Sequence, residues 1–190
     1  MLLGPSKLLG VVFDLSLRHN GAHRIVDQVK KSLTQFISTF NEEDGFYLFH
    51  PNLSEPFYHR GEHFCMIANY ETDGYKFDLG YALKQTLYVV GAQDHDLQKS
   101  LCLITDRLTA KDTFHINHMA DLNEKDDMGC QIIVIGIGNR YSKNSLIESC
   151  QGKAFCIHTD DPLQVNSILS NWFDDSPAEL EITASEPEES

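Results

Sequence analysis

Apolar residues along this chain come in short unbroken runs separated by longer stretches with helical spacing. Leu8, Leu9, Val11, Val12 and Phe13 make the first run, interrupted only by Gly10. A short run of strand formers with no polar alternation predicts a strand buried on both faces. Residues 14–21 read as a loop. Over 22–40, apolar residues fall at Ile25, Val26, Val29, Leu33, Phe36, Ile37 and Phe40. Spacings of three and four predict an amphipathic helix. Asn41-Glu42-Glu43-Asp44-Gly45 ends it, and 46–49 predicts a second strand.

Residues 51–61 contain Pro51 and Pro56 and no periodicity, so they read as loop. A third strand, at an edge, is expected at 64–68. Asp73-Gly74 signals a turn. Asp78 is placed to cap a helix running to Val90, with Leu79, Ala82, Leu83, Thr86 and Leu87 on one face. Further strands are expected at 101–105, 130–137 and 154–157. Helices are expected at 113–125, 142–149 and 162–173, the last with Pro162 in its first turn.

Strands and helices therefore alternate. That order predicts an α/β fold: an open, doubly wound, mostly parallel sheet flanked by helices, of Rossmann-type architecture. One domain is expected over 1–174. Ligands of such sheets bind beyond the carboxyl ends of the strands. Residues 14–18, 106–107 and 138–141 therefore hold the candidate chemistry.

Composition narrows the function classes. The chain has 190 residues, 42% hydrophobic and 23% charged, a globular balance for one domain. Its net charge is -13, from 28 acidic and 15 basic residues. Such a charge repels phosphate backbones and anionic lipid, so neither nucleic acid nor membrane is an expected partner. Seven of the acids and no Lys or Arg lie from Asp174 to Ser190. Residues 175–190, rich in Glu, Ser, Pro and Ala, are expected to form a disordered acidic tail with a solubilising role. No apolar run approaches the roughly 18–20 residues of a membrane span, and 8–13 is too short for a secretion signal. The five cysteines, Cys65, Cys102, Cys130, Cys150 and Cys156, include no CxxC pair. Buried reduced thiols in a cytoplasmic or nuclear protein are the simplest expectation.

Asp14 and Ser16 follow the first strand directly, and Asp106 follows a later one. Two carboxylates and a hydroxyl at one sheet edge suit a hard cation such as Mg²⁺. Here the sequence resembles the von Willebrand factor type A family. Val11-Val12-Phe13-Asp14-Leu15-Ser16 is similar to the start of its Asp-x-Ser-x-Ser motif, and Leu101-Cys102-Leu103-Ile104-Thr105-Asp106 to its later Thr-Asp-Gly strand end. Asp78-Leu79-Gly80-Tyr81-Ala82-Leu83 resembles the helix after the family's metal-site threonine, and Ile133-Val134-Ile135-Gly136-Ile137-Gly138 its fifth strand. The resemblance spans about 7–174. It implies a metal-ion-dependent adhesion site with Asp14, Ser16 and Asp106 as ligands.

This sequence departs from that pattern at three points. Arg18 stands where the motif's last serine is expected, Phe77 where the threonine is expected, and Arg107 where glycine is expected. Arginine cannot ligate a cation and its charge opposes one. The expected site is therefore vestigial and needs no cofactor, with the Arg18 guanidinium pairing with Asp14 or Asp106 in the ion's place. In the simpler reading, Asp14 and Ser16 merely cap their loop. The resemblance implies a non-enzymatic protein–protein interaction module or scaffold subunit of an intracellular complex, with Arg18, His19, Asp78 and Arg107 as partner-facing residues.

Two other functions remain open. One is an Mg²⁺-dependent receptor for a partner's carboxylate. The other is a nucleotide-binding enzyme, suggested by Gly136-Ile137-Gly138-Asn139-Arg140-Tyr141, where Tyr141 replaces the glycine that a dinucleotide loop requires. His115 and His118, with Asp121, have zinc-like spacing but read as a solvated helix face. His19 and His23 flank the first motif loop. Phe57-Tyr58-His59-Arg60 with His63-Phe64 fits an interface and a buried hairpin equally well.

Overall fold

The structure is a computed structural model and describes residues 6–15, 22–49, 67, 78–94, 96–138, 146, 150 and 152–174, without the side chains of 22 and 23. Its strands are β1 (Lys7–Asp14), β2 (Gly45–Leu48), β3 (Gln98–Thr105), β4 (Gln131–Ile137) and β5 (Phe155–Thr159). Its helices are α1 (Ala22–Ile37), α2 (Leu79–Gly91), α3 (Ala110–Lys125) and α4 (Val165–Asp174), the last preceded by a 3-10 turn, Pro162–Gln164. The strands form one sheet in the order β2-β1-β3-β4-β5, and every pairing is parallel.

β1, β3 and β4 are buried along almost their whole length, which is why their sequences lack polar alternation. Side chains leave the strands alternately to two faces. Leu9, Val11 and Phe13 pack with Val29, Leu33 and Phe36 of α1 and with Leu169 and Trp172 of α4. Leu8 and Val12 pack on the other face with Leu83 and Leu87 of α2 and Ile116 and Met119 of α3. Gly10 faces α2 so closely that a Cβ there would lie 2.6 Å from both Thr86 Cγ2 and Val90 Cγ2.

Several boundaries differ from the sequence expectation, each through a polar contact. β3 starts at Gln98 because its polar leading residues find partners inside the fold. Lys99 is buried, and its ammonium donates to Gly91 O at 3.2 Å and Gln93 O at 3.3 Å. It thereby neutralises carbonyls at the C-terminus of α2. Ser100 accepts a 3.0 Å hydrogen bond from Trp172 Nε1. α3 begins at Ala110 because Thr109 and Asp112 form a capping box. α4 is capped partly by a distant residue: Ser32 Oγ accepts from Asn166 N at 2.7 Å and donates to Leu163 O at 2.8 Å. β5 extends to Thr159, two residues past its expected end.

The strand expected at 64–68 lies outside the described residues except for Ile67, which is helical and fully buried. Of the helix expected at 142–149, Leu146 is described and is helical, as is the next residue beyond it, Cys150. The expectation of reduced thiols is corrected for two cysteines: Cys150 and Cys156 are joined by a disulfide. Their spacing carries no motif. Cys102 and Cys130 are free and buried, and Cys65 lies outside the described residues.

Two substitutions test this packing. Gly10→Ala is expected to lower the urea unfolding free energy by about 1–3 kcal/mol through overpacking against α2, with an unchanged m-value. Lys99→Met keeps the apolar stem but leaves the α2 carbonyls without a donor, with an expected loss of about 1–2 kcal/mol in the same measurement.

Candidate functional site

The parallel register sets the strand ends side by side. Asp14 pairs with Thr105, Thr105 with Gly136, and Gly136 with His158. The chain leaves β1 toward β2 on one side and later returns as β3 on the other, so the β1–β3 boundary is where the strand order reverses. Crevices of open α/β sheets form at such a boundary.

Asp14, the last residue of β1, brings a carboxylate to this boundary with its side chain only 7% exposed. A buried carboxylate needs a counter-charge and hydrogen bonds. Arg107 supplies both. Its Nη2 donates to Asp14 Oδ1 at 3.0 Å, and its Nε lies 3.5 Å from Oδ2. The Thr105 hydroxyl lies 3.3 Å from the same Oδ2.

Thr105 also shapes the chain that delivers the arginine. Its hydroxyl is 2.6 Å from Arg107 O and accepts from Arg107 N at 3.2 Å. A side-chain turn of this kind reverses the backbone within two residues. It aims Arg107 back across the β1–β3 boundary. The hydrogen bond to Asp14 holds the Arg107 proton above the ordinary guanidinium range; burial works against this, and the charges of Asp14, Asp112 and Asp106 reinforce it. The outer part of the guanidinium remains in solvent, since the side chain is 53% exposed.

Asp14 and Arg107 are in direct contact. Asp106, the residue after β3 and before Arg107, is buried. Asp78 is exposed and works as the N-cap of α2, accepting from Tyr81 N at 3.0 Å. That hydrogen bond, with the nearby Lys111 and His115 charges, pushes its carboxyl below the ordinary aspartate value. Ser16, Arg18 and His19 lie outside the described residues. Among the described residues, the arginine on Asp14 is Arg107; the pairing expected of Arg18 lies outside them. Thr105 was quoted in the sequence only as motif context. A threonine closing a buried strand ahead of Asp-Arg was the available signal for its role.

A divalent cation held by Asp14 would stand roughly 2.0–2.6 Å from its oxygens. The Arg107 donors and the Thr105 hydroxyl now occupy those directions. The arrangement as it stands therefore does not fit a cation on Asp14. Among the described residues, no three His, Cys, Asp or Glu side chains gather in a metal-holding group. The glycines after β4 are also committed. Gly138 N donates to Thr159 O at 2.9 Å, and Gly138 O is 2.7 Å from His158 Nε2, so neither group is left to cradle a phosphate. On α3, Phe114 is exposed and stacks on His118 at 6.0 Å, and His115 packs against Gly80.

No family model matches the sequence, and no curated protein matches it. Solved structures match the fold. Proximal thread matrix protein 1 (PTMP1) from the mussel byssus aligns at 19% identity and a TM-score of 0.61, over 88% of this chain and 47% of that one. This chain thus spans about half of that protein. A second PTMP1 structure has a zinc-occupied MIDAS motif. BatB from Bacteroides thetaiotaomicron aligns at 12% identity and a TM-score of 0.62, over 89% of this chain and 98% of that one. The SpRpn10 VWA domain aligns at 16% identity and a TM-score of 0.57, over 94% of this chain and all (100%) of that one. With an all-parallel five-stranded sheet covered by helices on both faces, this chain has a von Willebrand factor type A-like fold.

Proposed function

We propose that this chain is a non-enzymatic protein–protein interaction module, a scaffold subunit whose carboxyl-edge site works without a metal ion. The Arg107–Asp14 pair carries this reading. It puts a fixed protein cation where a receptor of this fold would hold a bound one. The half-exposed guanidinium of Arg107 is the centre of the proposed contact surface for a partner, to which Arg18, His19 and Asp78 are proposed to contribute. Residues 175–190 are the proposed acidic extension of the 1–174 domain. A cytoplasmic or nuclear setting belongs to this proposal; the Cys150–Cys156 bond removes two of the thiols on which that placement rested.

A metal-dependent receptor is the second reading, favoured by the zinc-occupied site of PTMP1. It would use Asp14, Ser16 and Asp106 as ligands once Arg107 had moved aside. Thermal melts separate the two. The wild type is expected to melt within about 1 °C in EDTA, Mg²⁺ or Mn²⁺. A resident cation at about 100 times its dissociation constant would instead add roughly 2.7 kcal/mol, or about 5–10 °C for this size. A shift of that order, lost in Asp14→Ala, would establish the receptor and refute the metal-independent module.

Arg107→Gly should behave differently from the wild type. It leaves the buried Asp14 without its counter-charge, at an expected cost of about 1–3 kcal/mol. Excess Mn²⁺ is predicted to restore part of that loss in the melt, because the carboxylate is then open to a cation. No recovery at any Mn²⁺ concentration would show that Arg107 does not stand in for an ion.

A further inference from the structure

The cysteines divide into two chemical classes. Cys102 sits in the apolar core on the face covered by α1 and α4, and Cys130 in the core on the face covered by α2 and α3. Burial pushes the Cys102 thiol far above its ordinary range and the Cys130 thiol up to about 11, against the opposing pull of Lys99. Neither offers a thiolate for exchange near neutral pH. Cys150 and Cys156 differ. They are bonded to each other, and Cys156 is only partly buried.

Their position matters. Among the described residues, β5 is the outermost strand on its side of the sheet and pairs only with β4. Its burial is partial over most of its length, whereas β1, β3 and β4 are buried almost throughout. An edge strand of this kind is held by few contacts and opens most readily. Two fastenings offset that. At its carboxyl end, Thr159 O accepts from Gly138 N, and the His158 ring reaches Gly138 O. At its amino end, the disulfide ties Cys156 back to Cys150 across a turn closed by Lys153 N on Cys150 O at 2.8 Å. Gly152 takes the positive φ of 73° that this turn needs.

We infer that Cys150 and Cys156 form a redox-responsive clamp on β5. Oxidised, the bond pins the amino end of the edge strand; reduced, it lets that end loosen. Loosening of the amino end passes along β5 to its fastening on Gly138 at the carboxyl edge of the sheet. The loop closed by the bond is short, and its Cys156 side is partly accessible although Cys150 is buried, which leaves one sulfur open to exchange. In chemical terms, glutathione disulfide takes up the two thiols in successive exchanges. A mixed disulfide forms first with release of one glutathione thiol. The second cysteine thiolate then displaces the other, so two cysteine thiols are oxidised and one glutathione disulfide is reduced to two thiols.

The test uses the full chain in glutathione buffers of graded oxidation. Free thiols are trapped with iodoacetamide, and the bonded ones are reduced and labelled with N-ethylmaleimide for mass spectrometry. Amide exchange in 155–159 and the melting temperature are followed in parallel. Cys150 and Cys156 are expected to switch together between the two labels within the range of cellular glutathione ratios. Oxidation should slow exchange in β5 at least several-fold and raise the melting temperature by about 3–8 °C. Cys150→Ser should show the reduced behaviour in every buffer, and Cys65→Ser should keep the switch. Four results would each overturn the clamp: both cysteines staying free in oxidant, a bond from either to Cys65, a bond that no glutathione ratio opens, or a bond that forms while β5 exchange and melting stay unchanged.

Discussion

Asp14 is a carboxylate at the end of a strand buried on both faces, and its side chain is almost wholly removed from water. A charge in that position is tolerated only with a counter-charge and a full set of hydrogen bonds. β1 cannot shift or end earlier to escape the requirement, since its register with β3 is fixed over eight residues from Lys7 to Asp14. The demand falls on whatever follows β3. Thr105 and Arg107 meet it together: the threonine turns the chain, and the arginine reaches back. The central strand, the strand-order reversal and the candidate site thus depend on one ion pair.

The wider fold presents that pair without crowding it. α2 lies against β1 and β3, its C-terminus fastened near the start of β3 by Lys99 and its Asp78-capped N-terminus directed to the carboxyl edge. α1 and α4 cover the other face, joined by the Ser32 hydroxyl and by Phe36 stacked on Phe173. The helices are therefore held mainly from the sheet and from each other. At the end of β3, about half of the Arg107 side chain is in solvent (53% exposed). A scaffold carrying one pre-oriented guanidinium is consistent with the proposed recognition of a partner surface.

Much of the architecture was legible in the sequence because it rests on apolar period. The uninterrupted runs of β1 and β4 and the spacing of α1 gave element type directly, and alternation gave the parallel class. Asp78 was legible as a cap because capping is local. Features resting on tertiary contact were not. Lys99 and Ser100 look like loop until the ends of α2 and α4 arrive to satisfy them. The start of α3 depends on Thr109 and Asp112, a local signal that the weak periodicity after it obscured. The cysteine pair had no motif. At the site, nothing in a linear chain says that the strand register brings Arg107 within 3.0 Å of Asp14.

In the proposed reading, Arg107 takes the place of the ion in the adhesion site that the resemblance implies. A bound ion can come and go with its concentration, whereas an arginine is permanent and directional. Recognition at the edge would then depend on orientation of the guanidinium and not on ion supply. The most direct test is a double-mutant cycle with Asp14→Asn, Arg107→Gln and the pair, read by urea unfolding in EDTA. A coupling free energy of about 1–3 kcal/mol, unchanged when Mg²⁺ is added, is the predicted result. Additive single-mutant effects, or coupling that vanishes when Mg²⁺ is supplied, would contradict the claim that Arg107 is the cation this sheet edge is built around.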